Sequence, residues 1–244
     1  MPLWWPTDGT PTKQGDDIAG YIEALGERVM GFHKGDRVAA YAEYAIAPDY
    51  TTFHIPAKTG FEGTRLEAAT IPLAAMTTAL GLYQRLKLPL PWNPTTKPLP
   101  LIVYGGATVV RAFAIKFARL SNIYPLITVA GKGSTFVETL IDREKGNTII
   151  DYREGDEVIR AKIKEAAGGR SIHYAFDANV GAVMTAPREI TTMLSSAQGW
   201  FSRHPYEVRP GGLARLEGAL QDLKSGKASA IKYVVRIGET KGLI

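Results

Sequence analysis

Four glycines, a threonine, a lysine and a serine, set around two short apolar runs, are the residues best placed to do chemistry. A strand-like run, Leu99 to Tyr104, meets Gly105-Gly106-Ala107-Thr108. A helical pattern extends from Val109 to Leu120, then a second apolar run from Tyr124 to Val129, then Gly131-Lys132-Gly133-Ser134. Strand, glycine turn, helix and strand form the unit that binds a dinucleotide, because the turn and the helix N-terminus can approach a pyrophosphate. The residues just past the second strand select the cofactor: a carboxylate suits a free ribose, whereas cations and hydroxyls suit a 2′-phosphate. This chain has Lys132, Ser134 and Thr135 there, and no acid before Glu138. That set points to NADP(H). Taken alone, the turn also fits an ordinary βα connection, because Thr108 and Arg111 stand where two further small residues are expected.

These residues must be carried by an α/β scaffold, and the chain supplies one. Residues 15–60 read as β-rich, with alternation over Ile18 to Gly26, a turn into a strand at Gly35-Asp36-Arg37-Val38, and alternation again over Tyr41 to Ala47. Leu66, Ala69, Leu73, Met76, Leu80 and Tyr83 recur at helical spacing, which predicts a helix over 64–87 ended by Pro89 and Pro91. Strands are expected near 101–104, 125–129, 148–150 and 172–176. The tail should hold a helix over Leu213 to Lys224 and a closing strand over Ile231 to Ile237.

At 244 residues, 45% hydrophobic and 22% charged, the chain has the composition of a soluble globular protein with a full core. It lacks cysteine, which excludes a disulfide framework, a thiolate nucleophile and thiolate-ligated zinc. No run reaches membrane-spanning length, and Met1 to Pro6 lacks the features of a signal peptide; a cytoplasmic location is the expectation. The net charge of +5 comes from dispersed cations. The densest group, Arg160, Lys162 and Lys164, reads as a solvated helix face rather than a nucleic-acid stripe.

Gly15-Asp16-Asp17-Ile18-Ala19-Gly20-Tyr21-Ile22, Lys34-Gly35-Asp36-Arg37-Val38 and Ala42-Glu43-Tyr44 together resemble the GroES-like domain of medium-chain dehydrogenase/reductases. Ile71-Pro72-Leu73-Ala74-Ala75-Met76-Thr77-Thr78-Ala79 resembles the helix leading into their cofactor domain. The tail, from His204-Pro205-Tyr206-Glu207-Val208 through Pro210-Gly211-Gly212-Leu213 to Val234-Val235-Arg236-Ile237, is similar to a fungal zinc-free branch. That branch holds quinone-oxidoreductase-like proteins and trans-acting enoyl reductases. The resemblance implies a GroES-like β-rich domain plus a Rossmann doubly wound parallel-sheet domain. The divisions expected are 1–70 (GroES-like), 71–200 (Rossmann, cofactor-binding) and 201–244 (return to the GroES-like part).

The same resemblance implies roles for single residues. Gly105, Gly106 and Thr108 would face the pyrophosphate, and Thr77 would approach the nicotinamide end. Lys132 and Tyr152 would grip the 2′-phosphate of NADPH, assisted by Ser134. Zinc relatives carry Gly-His-Glu where this chain has Gly15-Asp16-Asp17, and His33, His54, His173 and His204 show no ligand spacing, so no metal is expected. The implied function is NADPH-dependent reduction of an activated C=C bond (enoyl or enone) or a quinone. A polyketide synthase is the implied partner, and a homodimer is compatible with the scaffold. The alternative is a catalytically silent nucleotide-binding or partner-docking paralogue.

The chain also departs from the family pattern. The opening strands of relatives are absent before Met1, two strand patterns abut at Ala40 and Tyr41, and residues 180–200 match poorly. Either intervening segments are missing from the sequence or the chain is a truncated paralogue; the abrupt joins favour the first. Arg111 stands at a small-residue position, which predicts looser packing or a side chain turned aside. No catalytic residue is assigned: Tyr41 and Tyr44 lie on an alternating strand where packing explains them. Tyr83 and Lys87 have the Tyr-x-x-x-Lys spacing of short-chain dehydrogenases, but precede the glycine turn and read as helix surface.

Overall fold

A computed structural model describes residues 17–40, 47, 49–55, 65–177, 204–227, 230–236 and 239. The N-terminal alternating segments form an antiparallel sheet of β1 (Ile18–Tyr21), β2 (Arg37–Ala40) and β3 (Phe53–His54), with Ile18 opposite Ala40 and Val38 opposite His54. Tyr41 to Ile46 lie outside the described residues, and with them the strand expected there.

The helix expected over 64–87 is interrupted. It forms α1 (Arg65–Ala68), α2 (Pro72–Ala79) and a π-helical turn over Leu80–Arg85. Pro72 has no N–H to continue α1 but suits the first position of a new helix, so the chain restarts there. The Leu73 N–H donates to Asp17 Oδ1 at 2.6 Å, a cap supplied from the start of β1.

The central apolar runs pair in parallel as β4 (Leu101–Tyr104), β5 (Leu126–Ala130), β6 (Thr148–Asp151) and β7 (Tyr174–Phe176), in spatial order β6-β5-β4-β7. Every residue of β5 is buried, as a strand covered on both faces requires. The connecting helices are α3 (Val109–Leu120), α4 (Ser134–Glu138) and α5 (Asp156–Ala167). α3 buries Phe113, Ile115 and Phe117 against the core. Each such side chain contributes about 1.5–3 kcal/mol by leaving water. Thr78 Oγ1 donates to Ala74 O at 2.8 Å and to Val110 O at 2.6 Å, tying α2 to the start of α3.

In the tail, β8 (Tyr206–Arg209) and β9 (Lys232–Val235) pair in parallel around α6 (Leu216–Lys224). A 3-10 turn at Gly212–Arg215 replaces the first residues of the expected helix. Lys232 returns to the front of the chain, pairing with Asp17 and donating to Ala69 O at 3.4 Å. The architecture is α/β: a Rossmann-type parallel sheet with a smaller antiparallel sheet beside it. Among the described residues, no helix is long and apolar enough to cross a membrane.

Candidate cofactor site

The parallel sheet has a switch point between β4 and β7. The chain runs outward from β4 through β5 to β6, then returns to the other side of β4. Ligands of doubly wound sheets bind at such a crevice, beyond the C-terminal strand ends. Register decides which side chains meet there. Tyr104 pairs with Val129, Ala130 with Asp151, and Val103 with Phe176. The next residues along the four strands therefore line one edge: Gly105, Gly131, Tyr152 and Asp177.

The glycine turn is built for close packing. Gly105 has φ +77°, a left-handed conformation that glycine adopts without strain. A Cβ on Gly106 would stand 2.2 Å from Thr128 Cγ2, so only glycine fits against β5. The N–H groups of both glycines donate to Val129 O, at 2.7 and 3.0 Å. Their contribution is thus shape, whereas the N–H groups at the start of α3 (Val109, Val110, Arg111) have no acceptor within the helix. Thr108 is exposed at this N-terminus, and its hydroxyl donates to Gly105 O at 3.1 Å.

Past β5, Lys132 is exposed and Ser134 half-buried. The Tyr152 ring lies on Gly131: a Cβ there would be 2.3 Å from Tyr152 Cε1 and 2.8 Å from its hydroxyl oxygen. Tyr152 remains 47% exposed. Asp151, the residue before Tyr152, accepts from Arg153 Nη2 at 2.5 Å and from the Arg153 N–H at 2.9 Å. These bonds hold its carboxyl down at about 2, so it stays ionised and its charge is matched by Arg153. Lys132 and Ser134 follow β5, and Tyr152 follows the neighbouring β6; Gly105, Gly106 and Thr108 follow β4, at the switch point. Thr77 is half-buried on α2, next to the Thr78 that joins that helix to α3.

Two residues of this edge, Arg111 and Asp177, carry a contact that the sequence does not announce. Arg111 donates from Nη2 to Asp177 Oδ1 at 2.5 Å and from Nη1 to Thr108 Oγ1 at 3.0 Å. The side chain is indeed turned aside: its Cδ and Nη1 lie 3.3 and 3.4 Å from where a Gly105 Cβ would be. The only hint in the sequence is a cation at a small-residue position.

Other residues have structural duties. Tyr83 is not on a helix surface: its hydroxyl meets Ser121 Oγ at 3.0 Å and Phe117 O at 3.3 Å, and burial pushes its pKa up. It thus lies at the far end of α3 from the glycine turn. Asp17, beside the Gly15-Asp16 pair, is occupied by Leu73 and Lys232. Among the described residues, no group of three or more His, Asp or Glu is arranged to hold a metal ion. Of the α5 cations, Arg160 pairs with Glu157 and Lys162 with Glu154, as expected for a solvated face. Tyr41, Tyr44, Gly15, Asp16 and residues 178–203 lie outside the described residues.

No family model matches the chain. Among curated proteins it is 42% identical over 189 residues to the trans-enoyl reductase fsr4 of Gibberella fujikuroi, covering 72% of this chain and 54% of that protein. The trans-enoyl reductase resD of Aspergillus sclerotiorum is 32% identical over 173 residues, 59% of this chain and 46% of that protein. The chain therefore spans about half the length of these relatives. Among solved structures, the alcohol dehydrogenase of the archaeon Aeropyrum pernix superposes with a TM-score of 0.62 at 15% identity, covering 89% of this chain and 80% of that one. Such distant likeness speaks to fold alone. By sequence and by fold, the chain is a trans-enoyl-reductase-like member of the medium-chain dehydrogenase/reductase superfamily.

Proposed function

We propose that this chain binds NADPH and serves the zinc-free reduction of an activated C=C bond, in an enoyl or enone substrate. A quinone is the second substrate class of the same chemistry. The observation that carries the reading is the β5–β6 pairing, which lays the Tyr152 ring on Gly131, the residue before exposed Lys132. A cation, a phenol and the hydroxyl of Ser134 are the donors a 2′-phosphate needs, and Asp151, next to Tyr152 in the chain, is paired with Arg153. The kinship to trans-enoyl reductases supports reduction over a silent paralogue.

A dinucleotide held here would supply a hydride for the β-carbon of the substrate, with water as the source of the proton at the α-carbon. The protein's part is to bind and orient. Gly105 and Gly106 let the backbone approach closely, the first turn of α3 offers N–H groups to the pyrophosphate, and Thr108 adds a hydroxyl. Thr77, on α2, would approach the nicotinamide end. The division into a GroES-like part (1–70 and 201–244) and a cofactor domain (71–200) is proposed with this assignment, supported by the Lys232–Asp17 pair. A polyketide synthase as partner and a cytoplasmic location are likewise proposed. A nicotinamide fluorescence titration tests the cofactor: micromolar NADPH affinity with much weaker NADH affinity is expected, and binding of neither rejects the reading. Turnover of an enoyl thioester or quinone panel with NADPH then tests the reaction.

A further inference from the structure

We infer that Arg111 is a pyrophosphate-binding residue particular to this chain, held over the glycine turn by Asp177 and released to the dinucleotide when it arrives. The inference rests on the NADPH reading above. Its basis is the position of the guanidinium. Arg111 leaves the helix–strand interface and folds back over Gly105, where Nη1 bonds Thr108 and Nη2 bonds Asp177. Asp177 comes directly after β7 and Gly105 directly after β4, so the ion pair bridges the switch-point crevice itself.

Electrostatics make the bridge exchangeable. Arg111 sits in the first turn of α3, where the helix dipole is positive and a cation is unfavourable without an anion beside it. Asp177 supplies that anion. The guanidinium is 11% exposed and the carboxylate 47%, so the anion is the partner that faces solvent and can be replaced. A pyrophosphate carries more negative charge than one carboxylate and accepts the same planar fork of N–H donors. It would meet Arg111 and the first-turn N–H groups of α3 together. Asp177 is then a competitor: it keeps Arg111 in place at rest and opposes the ligand by its own charge.

The test measures NADPH and NADH affinity, at two ionic strengths, for the wild-type chain, Arg111→Met and Asp177→Asn, with thermal melting of each. Both nucleotides carry the pyrophosphate, so Arg111→Met should weaken both by the same factor, about tenfold, and flatten the salt dependence. Asp177→Asn should tighten both several-fold. This variant keeps the guanidinium and remains informative if Arg111→Met fails to fold. Unchanged or tighter binding in Arg111→Met, or unchanged or weaker binding in Asp177→Asn, overturns the inference while wild-type NADPH binding leaves the parent reading standing. Wild-type protein that binds neither nucleotide overturns both.

Discussion

The ring of Tyr152 lies flush on the backbone of Gly131, one residue past the paired strand ends Ala130 and Asp151. This contact joins the loops after β5 and β6 into one surface, and it depends on the absence of a side chain at position 131.

Gly131→Ala should therefore push the ring from its seat. Tyr152 is half exposed and its ring can swing, so the cost in stability should stay below about 1 kcal/mol. NADPH affinity should fall several-fold with little change for NADH. Equal losses for both nucleotides would place the contact outside the 2′-phosphate subsite.

Lys132→Ala removes the exposed cation that follows Gly131 in the chain. The expected outcome is a 10- to 100-fold loss of NADPH affinity, from a charge-assisted contact of about 1.5–3 kcal/mol. NADH affinity and melting temperature should hold. A retained preference for NADPH would remove Lys132 from the site.

Gly106→Ala tests the turn itself. The new methyl meets Thr128 Cγ2 on a fully buried strand, where the neighbour cannot swing into solvent. Overpacking of this kind costs about 1–3 kcal/mol. A lowered urea midpoint with an unchanged slope is expected; an unchanged midpoint would show that β5 yields freely.

His204 gives the chain an acid weakness. It is 1% exposed, edge-on to Phe136, and its Nδ1 has no hydrogen-bond partner among the described residues. Burial first, then the charges of Lys116 and Lys232, lowers its pKa to about 3. The unfolded chain takes up the proton near the ordinary value of about 6.5, so this stability is full above that pH. It is lost as pH falls toward 3, by up to about 1.4 kcal/mol per unit. Unfolding curves at pH 7 and pH 5 should show the drop, and His204→Gln should reduce it.

The strand–turn–helix–strand unit is legible because its signals are local. Val109 to Leu120 reads as a helix and is one, since the periodicity that buries Phe113 and Phe117 lies in neighbouring residues. The basic, hydroxyl-bearing segment after β5 is equally plain. The pattern over 64–87 reads as one continuous helix and is not, because its spacing holds across the break while Pro72 interrupts the hydrogen bonding. Tyr83 reads as surface yet is half-buried, because its partners Phe117 and Ser121 are 34 and 38 residues away.

The sequence by itself determined most of the elements, the superfamily and the basic, hydroxyl-bearing character of the segment after β5, because side-chain periodicity and turn residues act over a few positions. The tertiary structure alone decided that β7 returns beside β4, which sets Arg111 against Asp177 across 66 residues. It alone decided the β5–β6 register that lays Tyr152 on Gly131. Strand order and register come from burying both faces of a shared sheet. That sum of distant contacts leaves no mark on any one segment.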